Sequence, residues 1–204
     1  MSLTVRPLTL ARFADLEAVF NARGCSVARN CWCMYYRVSG KGGYTRPGDP
    51  QVLQAHDALK ALAAQDPPAG LLGYRGKTPV GWVSLGPRAD YARLARSRAM
   101  KAVDGQPVWS IVCFVVPSEF RKQGVAGELL AGAVAYARKR GVRLVEAYPV
   151  DKQVAGAPDA PWFGAQALFD AAGFTEVARH LPARPVVRLA LGEAVDARPR
   201  EDGA

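Results

Sequence analysis

Ten residues, RKQGVAGELL at positions 121–130, set two cations and two glycines between an apolar run, VWSIVCFVV at 108–116, and a stretch with helical spacing. Glycines at such a junction leave several backbone N–H groups exposed at the first turn of a helix, where the helix dipole also favours negative charge. Gly124 and Gly127 remove side chains that would obstruct close approach, Ala126 is nearly as small, and Arg121 and Lys122 add charge at the rim. The chemistry this suits is the binding of phosphate oxygens. Two nucleotide readings fail on spacing. A P-loop needs G-x-x-x-x-G-K-[ST], and no Lys-Ser or Lys-Thr follows these glycines; a dinucleotide fingerprint needs G-x-G-x-x-G, and only G-x-x-G is present.

A second chemical cluster is GCSVARNCWCMYYR at 24–37, where Cys25, Cys31 and Cys33 lie among Trp32, Tyr35, Tyr36 and Arg37. A structural zinc site takes four ligands, usually with a C-x₂₋₄-C pair. Here the pair is C-x-C, no fourth cysteine is near, and only His56 and His180 remain, so no metal is expected. The segment reads as small thiols packed among aromatic rings. The remaining thiol, Cys113, alternates with Phe114 on the apolar run and is expected in the core.

The elements that position these residues follow from apolar periodicity. A strand is predicted over 3–7 and a helix over 10–23, with Phe13, Leu16, Val19 and Phe20 as its stripe. After an irregular stretch at 25–50 comes a helix over 52–64, with Leu53, Leu59 and Leu62 helping to form its apolar face. Residues 71–75 and 79–85 form a hairpin around the turn GKT, and Asp90 caps a short basic helix through Met100. The strand over 108–116 is apolar on both faces and belongs at the sheet centre. A helix over 128–140 buries Leu129, Leu130, Ala133, Val134 and Ala137; then come a strand over 143–148, a helix near 164–172 and strands at 174–178 and 186–191. One domain over 1–192 is expected, with the charged, aperiodic 193–204 as a tail.

The charge of +9, from 27 Lys and Arg against 18 Asp and Glu, favours an anionic partner: nucleic acid, an acidic protein or a phosphorylated cofactor. No nucleic-acid motif accompanies the basic stretch 88–101, whose default reading is a solvated face, so nucleic acid is not the expected partner. No apolar run approaches the roughly 20 residues of a membrane span. The first residues lack a signal-peptide pattern, and four cysteines without one point to reduced thiols, so a cytoplasmic location is expected.

The segment Arg121-Lys-Gln-Gly124-Val-Ala126 resembles the signature of the GNAT superfamily of acyl-CoA-dependent N-acyltransferases: Gln or Arg, two residues, Gly, one residue, then Gly or Ala. It follows the expected central strand and precedes the expected helix, and ALFDAAGF at 167–174 is similar to the family's next helix with its closing Gly-Phe. The resemblance covers at least 108–191. It implies an α/β fold with a mixed, mostly antiparallel central sheet flanked by helices and splayed between strands 108–116 and 143–148.

The resemblance also implies acetyl-CoA as donor, with CoA as product, and direct attack by a neutral amine on the acyl carbonyl. Backbone amides over 122–127 (Lys122, Gln123, Gly124, Val125, Ala126, Gly127), with Arg121, would hold the pyrophosphate. Phe114, Val115 and Val116 would pair with the pantetheine amides, and the Val115 N–H is the candidate to polarise the carbonyl. The sequence departs from the family at two places: Phe169 stands where many members carry a general-acid tyrosine, and Ser110 where many carry a carboxylate base. Candidates for the proton transfers are therefore Ser110 itself, Glu146 and Tyr148 on one face of their strand, and Tyr35, Tyr36 or Tyr44. Trp32, Tyr35, Tyr36 and Arg37 fall where the family shapes acceptor choice. The acceptor stays open among small amines, aminoglycoside-type compounds, amino acids and peptide or protein amines, and a homodimer is compatible with the sequence. The departures also admit a degenerate domain that binds acyl-CoA as a sensor or scaffold.

Overall fold

The structure, a computed structural model, describes residues 3–38 and 50–192. Tyr44 and the charged stretch at 193–204 lie outside the described residues. Seven strands form one sheet in the order β1-β2-β3-β4-β5-β7-β6. They are β1 (Thr4–Pro7), β2 (Gly70–Arg75), β3 (Thr78–Pro87), β4 (Trp109–Val115), β5 (Leu144–Ala147), β6 (Thr175–Leu181) and β7 (Arg184–Ala190). Every neighbouring pair is antiparallel except β4 with β5. The helices are α1 (Phe13–Asn21), α2 (Ser26–Cys31), α3 (Pro50–Leu62), α4 (Val125–Lys139) and α5 (Gln166–Asp170). On one side of the sheet, Leu129, Ala133 and Phe169 share a core with Ile111 and Phe114. On the other, Phe13, Phe20, Trp32 and Leu59 pack with Trp82 and Val115. The mixed, mostly antiparallel sheet flanked by helices is the architecture expected from the sequence. No helix among the described residues is long and apolar enough to cross a membrane.

The splay has a local cause. Strand β4 pairs with β5 only from Trp109 to Ile111, yet pairs with β3 as far as Val115. On the β3 side Ser84 faces Cys113 and Leu85 faces Ile111, which leaves Val112 without a partner. This is a β-bulge, and bulges bend a strand and increase its twist. The bulge also resets the alternation of side chains. Trp109 and Ile111 share the α4 core with Phe114 and Val116, whereas Val112 and Cys113, although consecutive, both pack in clusters away from it. Past the bulge β4 leaves β5, and the edge of the strand is open.

Helix α4 follows from Val125, Leu129, Leu130, Ala133 and Ala137, all buried, with Arg138 and Lys139 complementing the dipole at its last turn. It begins three residues earlier than apolar spacing alone suggests, directly after Gly124. Gly132 lets this helix lie close on β1: a Cβ there would stand 2.3 Å from Val5 Cγ2. Gly132→Ala is therefore expected to lower stability despite its better helix propensity. Overpacking costs about 1–3 kcal/mol and the propensity gain offsets only about 1 kcal/mol. A urea titration should show the lower midpoint with an unchanged slope.

Two elements differ from expectation. In α3 the face turned inward is Val52, Ala55, Leu59 and Leu62, whereas Leu53 is 69% exposed. The basic helix through Met100 does not form; only the 3₁₀ turns Arg88–Asp90 and Leu94–Arg96 are present. Tertiary contacts take precedence there. The Arg93 N–H donates to the Tyr36 carbonyl at 3.1 Å, and Arg88 reaches inward to the Met100 carbonyl at 2.7 Å.

Candidate active site

Where β4 leaves β5, a cavity of about 860 Å³ opens, running along Val112 to Val116. Its size suits a small-molecule or cofactor site. One end is the loop at Arg121, Lys122, Gly124, Val125, Ala126 and Gly127, and the opposite wall includes Cys31, Cys33, Tyr35 and Tyr36. Asp159 and Trp162 lie on its margin near α5.

The loop has the geometry of an anion cradle. Lys122 and Gly124 both adopt positive φ, 58° and 78°, and Gly124 caps α4. The first helical hydrogen bond runs from the Glu128 N–H to the Gly124 carbonyl at 3.1 Å, and the N–H groups from Lys122 to Gly127 donate to no backbone carbonyl among the described residues. A Cβ on Gly127 would meet only Leu168, at 3.7 Å, so the protein leaves room at that position rather than filling it. Two side chains differ from the expected rim. Arg121 donates from Nε to the Val116 carbonyl (3.0 Å) and from Nη2 to the Gly24 carbonyl (2.6 Å), fastening the loop to the end of β4 and to the turn after α1. Gln123 is not in the lining: its side-chain oxygen accepts from Arg75 Nη1 at 2.6 Å and its amide donates to the Glu119 carbonyl at 2.6 Å.

Ser110, Glu146 and Tyr148 are brought together, but not in the cavity lining. Register places Ser110 beside Glu146 and Glu146 beside Arg188 across three strands. The Glu146 carboxylate, 0% exposed, accepts from Arg88 Nη1 (2.8 Å), Tyr148 OH (2.6 Å) and Arg188 Nε (2.8 Å). The Tyr148 oxygen in turn accepts from Arg88 and lies 2.9 Å from Ser110 Oγ, and Arg188 forks onto Asp104 at 2.6 and 3.0 Å. Burial and the adjoining Glu146 charge push the Tyr148 phenol well above its ordinary value. Both oxygens of Glu146 are thus held by arginine and tyrosine donors. Arg88, Asp104 and Arg188 carry no mark of this role in the sequence; the visible signal is the alternation that puts Glu146 beside Arg188 once β5 and β7 are paired.

The acceptor candidates divide as well. Tyr35 and Tyr36 line the cavity, whereas Trp32 and Arg37 do not. Trp32 and Cys33 take consecutive positive φ values of 46° and 50°, a reversal after α2. It seats the Trp32 ring in the core, 5.2 Å from Phe20 and 4.6 Å from His56, and leaves Cys33 at the cavity. Arg37 is held over the Tyr91 ring at 4.4 Å and donates to the Ala69 carbonyl at 3.2 Å. Phe169 is fully buried between Phe114 and Phe174, at centroid distances of 6.1 and 5.3 Å.

Residues 33–158, more than half of the chain, match the family described as Acetyltransferase (GNAT) family. The chain belongs to the GNAT acetyltransferase family. No curated protein matches it in sequence. Among solved structures it is similar to an acetyltransferase from Thermus thermophilus, with 18% identity and a TM-score of 0.54 over 94% of this chain and 98% of that one. It is also similar to arylalkylamine N-acetyltransferase 2 from Aedes aegypti (10% identity, TM-score 0.56, 94% and 100% covered). PaiA N-acetyltransferase from Thermoplasma acidophilum, in complex with coenzyme A, is a third (14%, 0.50, 93% and 99%). At these identities the likeness is one of fold.

One trait of this GNAT chain is only half visible in the sequence: all four of its cysteines, Cys113 included, line the cavity. Cys113 lies opposite Phe114, as alternation expects, but it is only partly buried and stands in the cavity wall rather than wholly in the core. Among the described residues no group of three or more His, Cys, Asp or Glu is arranged to hold a metal. Hydrogen bonding to Cys33, together with burial, pushes the Cys31 thiol well above its usual range, and contact with Cys113 and burial do the same to Cys33. A raised thiol stays protonated and inert at neutral pH. Iodoacetamide is therefore expected to label Cys31 and Cys33 slowly at about pH 7 and faster as the thiols ionise in strong alkali, by intact-mass and peptide mapping. A ligand occupying the cavity should slow both reactions further.

Proposed function

We propose that this protein transfers an acetyl group from acetyl-CoA to an amine by direct attack on the thioester. The observation that carries this reading is continuity. The unpaired amides at 122–127 open into the same cavity as the free edge of β4, and that edge leads to Tyr35 and Tyr36. Bound there, acetyl-CoA supplies the activated acyl group. The chain's own parts would hold the pyrophosphate on the loop, lay the pantetheine along Phe114 to Val116, and offer the Val115 N–H to the carbonyl oxygen.

For the departing thiolate, Tyr36 takes the place that Phe169 leaves empty. Its ring is wedged between Tyr35 and Phe163 on the cavity wall, and burial holds its phenol far above its ordinary value, so it remains a proton donor at any physiological pH. Tyr36→Phe is expected to lower kcat by roughly tenfold, below the roughly 10²–10⁴-fold usual for acid–base catalysis because a thiolate leaves readily. Stopped-time thiol release with saturating acetyl-CoA measures it.

The decisive assay incubates the protein with acetyl-CoA and a broad panel of amines and follows free thiol. Amine-dependent release supports transfer. The engagement of Glu146 with two arginines favours a second reading, acyl-CoA binding without turnover. Tight CoA binding with no thiol release on any amine would select that reading.

A further inference from the structure

The stretch 88–101 carries five cations, and the fold sorts them into two groups. Arg88 and Arg93 are engaged internally: Arg88 with Glu146, and Arg93 from Nε to the Val38 carbonyl at 3.1 Å and over the Tyr35 ring at 4.4 Å. Arg96, Arg98 and Lys101 have no side-chain hydrogen-bond or ion-pair partner among the described residues, and all three line one concavity of about 460 Å³ with Ser97 and His180. No carboxylate lines it. His180 lies near the end of β6, and its Nε2 is buried with no partner among the described residues. Its neighbour Arg179 shows the contrast, being held by Glu176 at 2.7 Å and by Asp151 at 3.0 Å.

Three exposed cations thus share one hollow with no counter-ion in its lining, and beside them a buried ring nitrogen lacks the hydrogen bond that would offset its desolvation. An anion supplies the missing counter-charge, because guanidinium groups bond oxyanions in pairs, and the His180 ring in the wall lies close enough to sense it. The Ser97 hydroxyl, which accepts from the Met100 N–H at 3.1 Å, keeps its own proton free to donate. The shape selects for size. The cations ring a single hollow of small-ligand dimensions, rather than forming a stripe that could track a polymer backbone.

We propose that Arg96, Arg98, Lys101 and His180 form a second binding site, for a small, multiply charged oxyanion of the phosphate or polycarboxylate kind. The site shares no lining residue with the acyl-donor cavity. Two sources carry this chemistry: a free metabolite, or an anionic group on the amine acceptor itself.

The test titrates inorganic pyrophosphate into the full chain in the presence of excess CoA, at near-physiological salt. The imidazole proton resonances of its two histidines are followed by NMR. The His180 signal reports on this hollow whether or not CoA fills the loop at Gly124, so a failure here is separable from a failure of the donor site. The His180 resonance is expected to shift saturably while His56 stays still, and Arg96→Ala with Arg98→Ala should weaken the apparent affinity by roughly tenfold or more. Both positions are exposed, so the variant should fold; an unchanged thermal midpoint verifies this. An unmoved His180, equal shifts of both histidines, or an affinity indifferent to the double substitution would each overturn the site. With an amine that turns over, competition by pyrophosphate assigns the anion to the acceptor, and non-competitive behaviour assigns it to a free ligand; both support the site.

Discussion

Gly127→Val is expected to lower the affinity for CoA by roughly 100-fold while leaving the protein folded. The argument rests on what surrounds the missing side chain. On the protein side a Cβ would touch only Leu168, at an ordinary 3.7 Å, and Gly127 sits in the first turn of α4, where a side chain carries no special backbone cost. The branched side chain would project into the cavity instead, over the amides that the diphosphate must reach. Forcing it away forfeits two or more charge-assisted hydrogen bonds, each worth about 1.5–3 kcal/mol. Isothermal calorimetry with CoA measures the loss, and a melting curve within a few degrees of the parent excludes unfolding as its cause. Gly124→Ala makes the contrast. Nothing lies within 4 Å of its Cβ, but the residue holds φ at 78°. The substitution therefore strains the bend itself, by about 1–2 kcal/mol. Affinity and stability should then fall together. If Gly127→Val bound CoA as tightly as the parent, the loop would not be the phosphate site.

Glu146→Gln should cost about 3–5 kcal/mol of folding stability, the range seen when one partner of a buried ionic group is removed. The carboxylate is fully buried and stands between Arg88 and Arg188, each at 2.8 Å, so its neutral amide would face two guanidinium groups with at most one acceptor oxygen. Chemical denaturation reads the loss directly. Replacing Arg88, Glu146 and Arg188 together by apolar residues of similar volume should recover much of it, since the cost lies in the uncompensated charge and not in the missing contact. A Glu146→Gln protein as stable as the parent, yet inactive, would instead return Glu146 to the chemistry.

The parts of the site readable in advance are those whose demands are local. Gly124 is legible because a left-handed residue at a helix start calls for glycine, and α4 because its apolar spacing is regular over 15 residues. That Glu146 and Tyr148 share a face follows from strand alternation. What the sequence conceals depends on partners distant along the chain. The phase slip at Val112 exists only relative to Ser84 and Leu85, so Cys113 gives no sign that it belongs to the cavity. Arg88 looks like one more surface cation, yet it is drawn into Glu146 and Met100, and with it goes the short helix expected from the Asp90 cap through Met100. Trp32 and Arg37 group with Tyr35 and Tyr36 by proximity along the chain, but the left-handed pair at Trp32 and Cys33 separates them.

The unpartnered Val112 makes β4 a strand with two independent halves. Below it, Ser110 answers to Glu146 and the buried polar row; above it, Cys113 to Val116 answer to the slot. Because the extra residue absorbs the mismatch, one half can be rebuilt without forcing the other out of phase. Deleting Val112 would leave Ile111 opposite Leu85 and Cys113 opposite Ser84 in an unbroken ladder, and would remove the bend that parts β4 from β5. Substitutions above it would, under the proposed function, retune what the slot accepts. The kink is thus a joint at which selection can alter substrate choice while the scaffold stays as it is.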